Sequence, residues 1–182
     1  YAIMKKENEG KVIPFQREKS SAKIVKIADT FNFYRGGKVN DVSLAYETWG
    51  KLNSDKSNVI VVLTGLSASS HIASSDNDST AGWWESMVGQ DKPLDSNNNF
   101  IICINTLGSC FGSTSPVSIN EKTGKPYRLS FPELTVEDMA SASHMLLDKL
   151  GIKKIKLLVG PSLGGMHALA FSILYNKSVD NI

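Results

Sequence analysis

Two cysteines in 182 residues are too few for a disulfide framework. Cys103 and Cys110 also belong to no CxxC pair or Cys/His cluster of metal-site spacing, so no metal site is expected and reduced thiols in a cytoplasm are. Long apolar runs are missing as well. The longest, 58–63 and 100–104, fall far short of the roughly 18 residues that suggest a membrane span. Charge of one sign is lacking: 20 basic and 18 acidic residues leave a formal charge of +2, with no long block of either. There is therefore no electrostatic case for nucleic acid, and a small molecule is the expected partner. The opening stretch, residues 1–26, has no apolar core of roughly 7–15 residues before a small-residue cleavage site, so a secretory signal is not expected either. Internal repeats and low-complexity linkers are absent; only the polar stretch 74–80 reads as a loop.

What is present fits one soluble globular domain: 41% hydrophobic and 21% charged residues allow a sizeable core. Residues 23–31 and 42–47 are strand-like, and Arg35-Gly36-Gly37 between them offers positive-φ positions for a hairpin, so an antiparallel edge pair is expected. Residues 58–63, 100–104 and 155–159 are short, β-branched and nearly continuously apolar, as strands covered on both faces are. They predict central parallel strands. Thr135 can cap a helix, with Glu137 and Asp138 in its first turn and apolar residues recurring every three or four positions from Val136 to Leu150; Gly151 ends it. A second helix is predicted over 164–175. The pattern specifies a doubly wound, mostly parallel α/β sheet.

Gly160-Pro161-Ser162-Leu163-Gly164-Gly165 stands between the strand at 155–159 and that second helix, the setting in which G-x-S-x-G forms a nucleophile elbow. To present a serine oxygen at the top of a sheet the chain must take a strained turn, and side chains two before and two after the serine would collide. Gly160 and Gly164 remove them. Ser162 is the candidate nucleophile. The competing reading is a plain Gly-rich turn in which Ser162 caps the helix. A phosphate cradle is disfavoured, because there is no Walker lysine and Pro161 lacks an N–H. The Leu163 N–H, at the helix start, supplies half of an oxyanion hole. The other half is assigned to the Leu66 N–H, in the Thr64-Gly65-Leu66-Ser67 loop that follows the first central strand.

A general base is harder to find among the three histidines. His167, five residues after Ser162, lies about 140° around the helix and points away. His144 falls mid-helix, where a structural role is expected. His71 either touches substrate or orders its loop. In this fold the acid and then the histidine follow the serine in chain order, so the triad partners are expected beyond Ile182. Residues 1–182 are thus read as the N-terminal part of a single α/β-hydrolase domain, truncated after the elbow helix. Residues 1–30 are a polar extension and first strand, and the C-terminal part of the domain and a lid are lacking.

With these elements in place, the sequence resembles the homoserine O-acetyltransferase family from about Phe33 to Ala170. The resemblance runs through Ala45-Tyr46-Glu47-Thr48-Trp49-Gly50, Gly82-Trp83-Trp84-Glu85, Met87-Val88-Gly89, Asn105 and Leu107-Gly108-Ser109-Cys110. It continues through Gly112-Ser113-Thr114, Thr123-Gly124, Pro126-Tyr127, Phe131-Pro132 and Gly164-Gly165-Met166. It implies ping-pong acyl transfer from an acyl-CoA co-substrate to the hydroxyl of L-homoserine or L-serine, through an acyl-enzyme on Ser162, in methionine or cysteine biosynthesis. It further implies no bound cofactor and a homodimer of the full-length protein. Where the common family loop reads His-Ala-Leu-Thr-Gly this chain has Thr64-Gly65-Leu66-Ser67-Ala68, and Pro161 replaces a usual Gly. Both features resemble the branch that succinylates serine or homoserine, which leaves the donor open between acetyl-CoA and succinyl-CoA. Arg128 is a candidate for a donor carboxylate, and equally a solvated surface charge. An esterase of the same fold and a non-catalytic α/β module stay open as alternatives.

Overall fold

Strand β3 (Val59–Leu63) is buried at all five positions, and its side chains divide by parity between two cores. Val59, Val61 and Leu63 face one side, Ile60 and Val62 the other, which is why its sequence reads as continuously apolar. The computed structural model describes residues 21–182; the first 20 residues of the expected polar extension lie outside the described residues. In chain order the remaining elements are β1 (Lys23–Asn32), β2 (Lys38–Trp49), β4 (Val88–Gly89), β5 (Leu94–Asp95), β6 (Phe100–Ile104), β7 (Ile119–Asn120) and β8 (Lys125–Pro126). Helix α1 (Val136–Lys149), β9 (Leu157–Val159) and α2 (Leu163–Leu174) follow, with short 3-10 turns at Arg128–Ser130 and Asn176–Ser178.

The main sheet has the order β1-β2-β6-β3-β9. Strands β6 and β9 run parallel to β3 on its two sides, whereas β2 is antiparallel to both β6 and β1. The expected hairpin turn is present: Gly36 and Gly37 have φ of 93° and 85°, and the Gly36 N–H donates to the Phe33 carbonyl at 2.9 Å. Strand β2 is longer than the predicted 42–47. Its register with β1 carries it back to Lys38, through polar residues whose exposure at the rim hides the alternation. Conversely, the predicted strand 155–159 shortens to Leu157–Val159, because Ile155 pairs with Val179 rather than with β3.

Helix α1 shows why its ends are where they are. The Thr135 hydroxyl accepts from the Asp138 N–H at 3.3 Å while the Asp138 carboxylate accepts from the Thr135 N–H at 2.9 Å, a closed capping box. At the other end Gly151 has φ 67°, its N–H donates to the Asp148 carbonyl, and Ile152 donates to Leu147. Those two bonds make a Schellman termination. Both helices pack on one face of the sheet, bringing Leu146 of α1 and Phe171 of α2 into one core with Leu44, Leu63, Ile102 and Ile104. The opposite face is covered by the connection from β3 to β6, residues 64–99, which buries Ile72, Val88 and Leu94 on Trp49, Ile101 and Cys103 without forming a helix. No helix among the described residues is long and apolar enough to cross a membrane.

Candidate active site

The chain leaves β3 toward one face of the sheet and β9 toward the other, so the connections diverge at the C-terminal ends of these neighbouring strands, the place where open α/β sheets bind ligands. The two predicted oxyanion segments lie there, Leu66 just after β3 and Leu163 just after β9. Ser162 occupies the turn between β9 and α2 with φ 54° and ψ −121°, a conformation that L residues rarely hold. The two glycines are demanded by contact. A Cβ on Gly160 would meet the Gly164 carbonyl group at 2.5 Å, and one on Gly164 would sit 2.3 Å from the Leu63 carbonyl oxygen. Hydrogen bonds from the Gly164 N–H to the Pro161 carbonyl (2.8 Å) and from the Gly165 N–H to the Ser162 carbonyl (2.9 Å) close the turn.

Although Ser162 occupies the N-cap position of α2, its side chain makes no capping hydrogen bond, and the residue is exposed. The hydroxyl is thus turned outward instead of being used to finish the helix. Gly65 rests against the elbow: a Cβ there would lie 3.6 Å from the Pro161 carbonyl oxygen and 3.9 Å from the Ser162 Cβ. Among the described residues neither the Leu66 nor the Leu163 N–H donates a main-chain hydrogen bond. Leu163 is the first residue of its helix, where such donors have no partner within the helix.

None of the three histidines hydrogen-bonds Ser162 among the described residues. His167 is wholly buried, and desolvation holds its pKa down at about 4, against a small opposing effect of the Met139 carbonyl. His144 is half-buried, stacked on Tyr175 at 3.9 Å with its Nδ1 3.6 Å from the Asp148 carboxylate. His71 is buried, with Nδ1 3.0 Å from Glu47 Oε2 and Nε2 2.8 Å from the Thr80 carbonyl oxygen, so both ring nitrogens are engaged within the protein. Arg128 is exposed, at φ 50° in a short 3-10 turn (Arg128–Ser130). No group of three or more His, Cys, Asp or Glu that could hold a metal ion occurs among the described residues.

Glu47, the partner of His71, carries no role in the sequence reading. The signal was there: an acidic residue two positions before the inward-facing Trp49, on a strand whose alternate residues enter a core. Its charge near Cys103 adds to burial in pushing that thiol well above its ordinary range. Cys103 is accordingly inert packing.

A strained, outward-facing serine on a strand-turn-helix elbow at the C-terminal edge of a doubly wound sheet defines a hydrolase-type fold. The chain belongs to the α/β-hydrolase fold family, which matches residues 58–182. Within that family its relatives include serine O-succinyltransferase of Litchfieldella anticariensis, 48% identical over 153 residues, which cover 84% of this chain and 42% of that protein. L-serine/homoserine O-acetyltransferase of Streptomyces lavendulae is 49% identical over 150 residues, 82% of this chain and 40% of that protein. Among solved structures, homoserine O-acetyltransferase from Bacillus anthracis superposes with a TM-score of 0.81 at 34% identity, over 87% of this chain and 44% of that one. An esterase superposes with a TM-score of 0.80, also at 34% identity, over 87% of this chain and 45% of its own. The chain therefore spans about two fifths of the length of the curated relatives it matches.

Proposed function

We propose that this chain is the nucleophile-bearing part of a cytoplasmic acyltransferase that moves a short acyl group from acyl-CoA to the hydroxyl of L-serine or L-homoserine. The observation that carries the reading is Ser162, held at φ 54° by glycines that tolerate no side chain, with a hydroxyl that caps nothing. The Ser162 oxygen attacks the thioester carbonyl, its proton passing to a base, and the C–S bond breaks to release the CoA thiol. The acceptor hydroxyl then attacks the Ser162 ester, giving the O-acyl amino acid and the free serine. In both steps the unpartnered Leu66 and Leu163 N–H groups stabilise the carbonyl oxygen as it gains charge. The base and its orienting acid are expected C-terminal to the serine, in the order this fold uses. No bound cofactor is required, and a homodimer belongs to the same reading.

Relatives named for serine succinylation and for serine/homoserine acetylation match at nearly equal identity. The Thr64-Gly65-Leu66-Ser67 loop and Pro161 favour the succinyl donor. The test is an assay of the full-length protein with acetyl-CoA and succinyl-CoA, each against L-serine and L-homoserine, with Ser162→Ala as control. Covalent acylation that Ser162→Ala abolishes supports the reading, and activity with neither acceptor discards it. The solved esterase at 34% identity supports a second reading, in which water takes the acyl group. Free acid released as fast as CoA, with no amino-acid ester, would select it.

A further inference from the structure

The turn from Gly65 to Ser69, exposed at Leu66 and Ser67, leaves β3 beside the elbow, and buried polar groups fix it at both ends. At the near end Thr64, wholly buried, shares a 3.1 Å hydrogen bond with the Thr106 hydroxyl. At the far end Ser70 and His71 are buried and both engage Glu47. The Ser70 hydroxyl is 3.4 Å from Oε1, and His71 Nδ1 is 3.0 Å from Oε2. Ser21 also donates to this carboxylate, Asp78 Oδ2 lies 3.7 Å from His71 Nδ1, and Trp83 Nε1 donates to the Ser69 carbonyl at 2.8 Å. Each His71 nitrogen faces an oxygen, Nδ1 the Glu47 carboxylate and Nε2 the Thr80 carbonyl, so the ring is held from both sides. Glu47 sits on β2, so the pair ties the turn to a strand two places from β3 in the sheet.

Between these anchors Leu66 has no packing to hold it, since its side chain is 81% exposed. The course of its main chain is therefore set by the two ends of the turn. A carboxylate that is 4% exposed inside a β-sheet core is costly to bury, and apolar residues would fill the same space at lower cost. What the polar cluster adds over apolar packing is direction, because its hydrogen bonds fix where Ser70 and His71 sit.

We propose that Glu47 and His71 are positioning residues that hold the Gly65–Ser69 turn against the elbow and so aim the Leu66 N–H at the acyl oxygen on Ser162. This rests on the reading of Ser162 as the acyl carrier. In the full-length protein, His71→Phe keeps the bulk and removes both ring nitrogens, while Glu47→Gln keeps an acceptor and removes the charge. Single-turnover acylation of Ser162 by the preferred acyl-CoA is followed by quenched-flow mass spectrometry, and CoA affinity by calorimetry. Acylation is expected to slow roughly 10- to 100-fold in His71→Phe, approaching the loss of one oxyanion donor, and less in Glu47→Gln. CoA affinity should change by less than about threefold in both, since only transition-state interactions are lost.

Acylation at the wild-type rate in either variant, melting cooperatively, overturns the proposal. So does an equal loss of rate and CoA affinity, which marks a damaged fold. If His71→Phe does not accumulate as folded protein, Glu47→Gln carries the same comparison. A wild type that never acylates refutes the acyl-enzyme reading instead. The position of Leu66 in crystal structures of the variants then decides the positioning role by itself.

Discussion

At Gly164 the consequence of adding one carbon can be worked out directly. A Cβ there would sit 2.3 Å from the Leu63 carbonyl oxygen and 3.0 Å from that of Thr64, both backbone atoms of the central strand and its exit. Neither can rotate away. Gly164→Ala is expected to destabilise the full-length protein by about 3 kcal/mol, at the upper end of overpacking effects, measured by urea unfolding. It should also suppress acylation of Ser162, because the elbow must open to admit the methyl group. His167 gives a second prediction. Its folded pKa, about 4, lies below the ordinary 6.5, so the unfolded chain binds the proton more readily between those values. The stability tied to neutral His167 is fully present above pH 6.5 and declines as pH falls toward about 4. At about 1.4 kcal/mol per pH unit the loss approaches ~3 kcal/mol. Unfolding midpoints between pH 7 and 4 should fall more steeply for wild type than for His167→Phe; parallel slopes would contradict this. The candidate nucleophile was legible because glycines at fixed offsets report a steric need in one short window. Glu47 was not, because its importance arises only when His71, 24 residues away in sequence, folds onto it.

The elements divide in the same way between local and non-local causes. Helix α1 carries its own start and stop signals in Thr135, Asp138 and Gly151, and the structure uses each of them. Asp138 does more than the sequence shows, since its Oδ1 also accepts from the Tyr34 N–H at 2.7 Å and ties the β1–β2 hairpin to the helix. Asp138→Ala should therefore cost more than an ordinary cap: about 2 kcal/mol from the lost capping box and the stranded hairpin N–H together. Asp138→Asn, which retains acceptor oxygen, should recover about half of that. Equal losses in the two variants, read from chemical denaturation, would show that charge rather than hydrogen bonding matters. The parallel strands were legible because burial on both faces makes them uniformly apolar. The crossover at 64–99 was not: it holds together through scattered side-chain bonds. Glu85 accepts from the Gly82 and Ser74 N–H groups, which hold its pKa at about 2, and Trp49 Nε1 donates to the Ser74 carbonyl. Such contacts have no period for a sequence pattern to reveal.

At the scale of the whole molecule, the described residues leave one apolar surface that they do not cover among themselves. Met166, Leu169 and Ile173 recur at three- and four-residue steps along α2 and are 55–77% exposed, with Leu174 beside them. An apolar helical stripe next to the elbow is expected to be covered in a protein of the relatives' length. The 182-residue polypeptide taken by itself should therefore bind a hydrophobic dye such as ANS more strongly than the full-length protein. It should also fail to turn over acyl-CoA at an enzymatic rate. Ser162 has its strained turn and two unpartnered N–H groups, but no histidine among the described residues hydrogen-bonds it. An alcohol is a poor nucleophile at neutral pH, and removing the base of a serine triad costs on the order of 10⁴- to 10⁶-fold in rate. The comparison is a CoA-release assay on both polypeptides at equal concentration. Amino-acid acylation by the short chain at a rate near that of the long one would mean that a base had been overlooked within these residues. His71 would then be the first to re-examine, because it is the histidine in the loop that rests against the elbow.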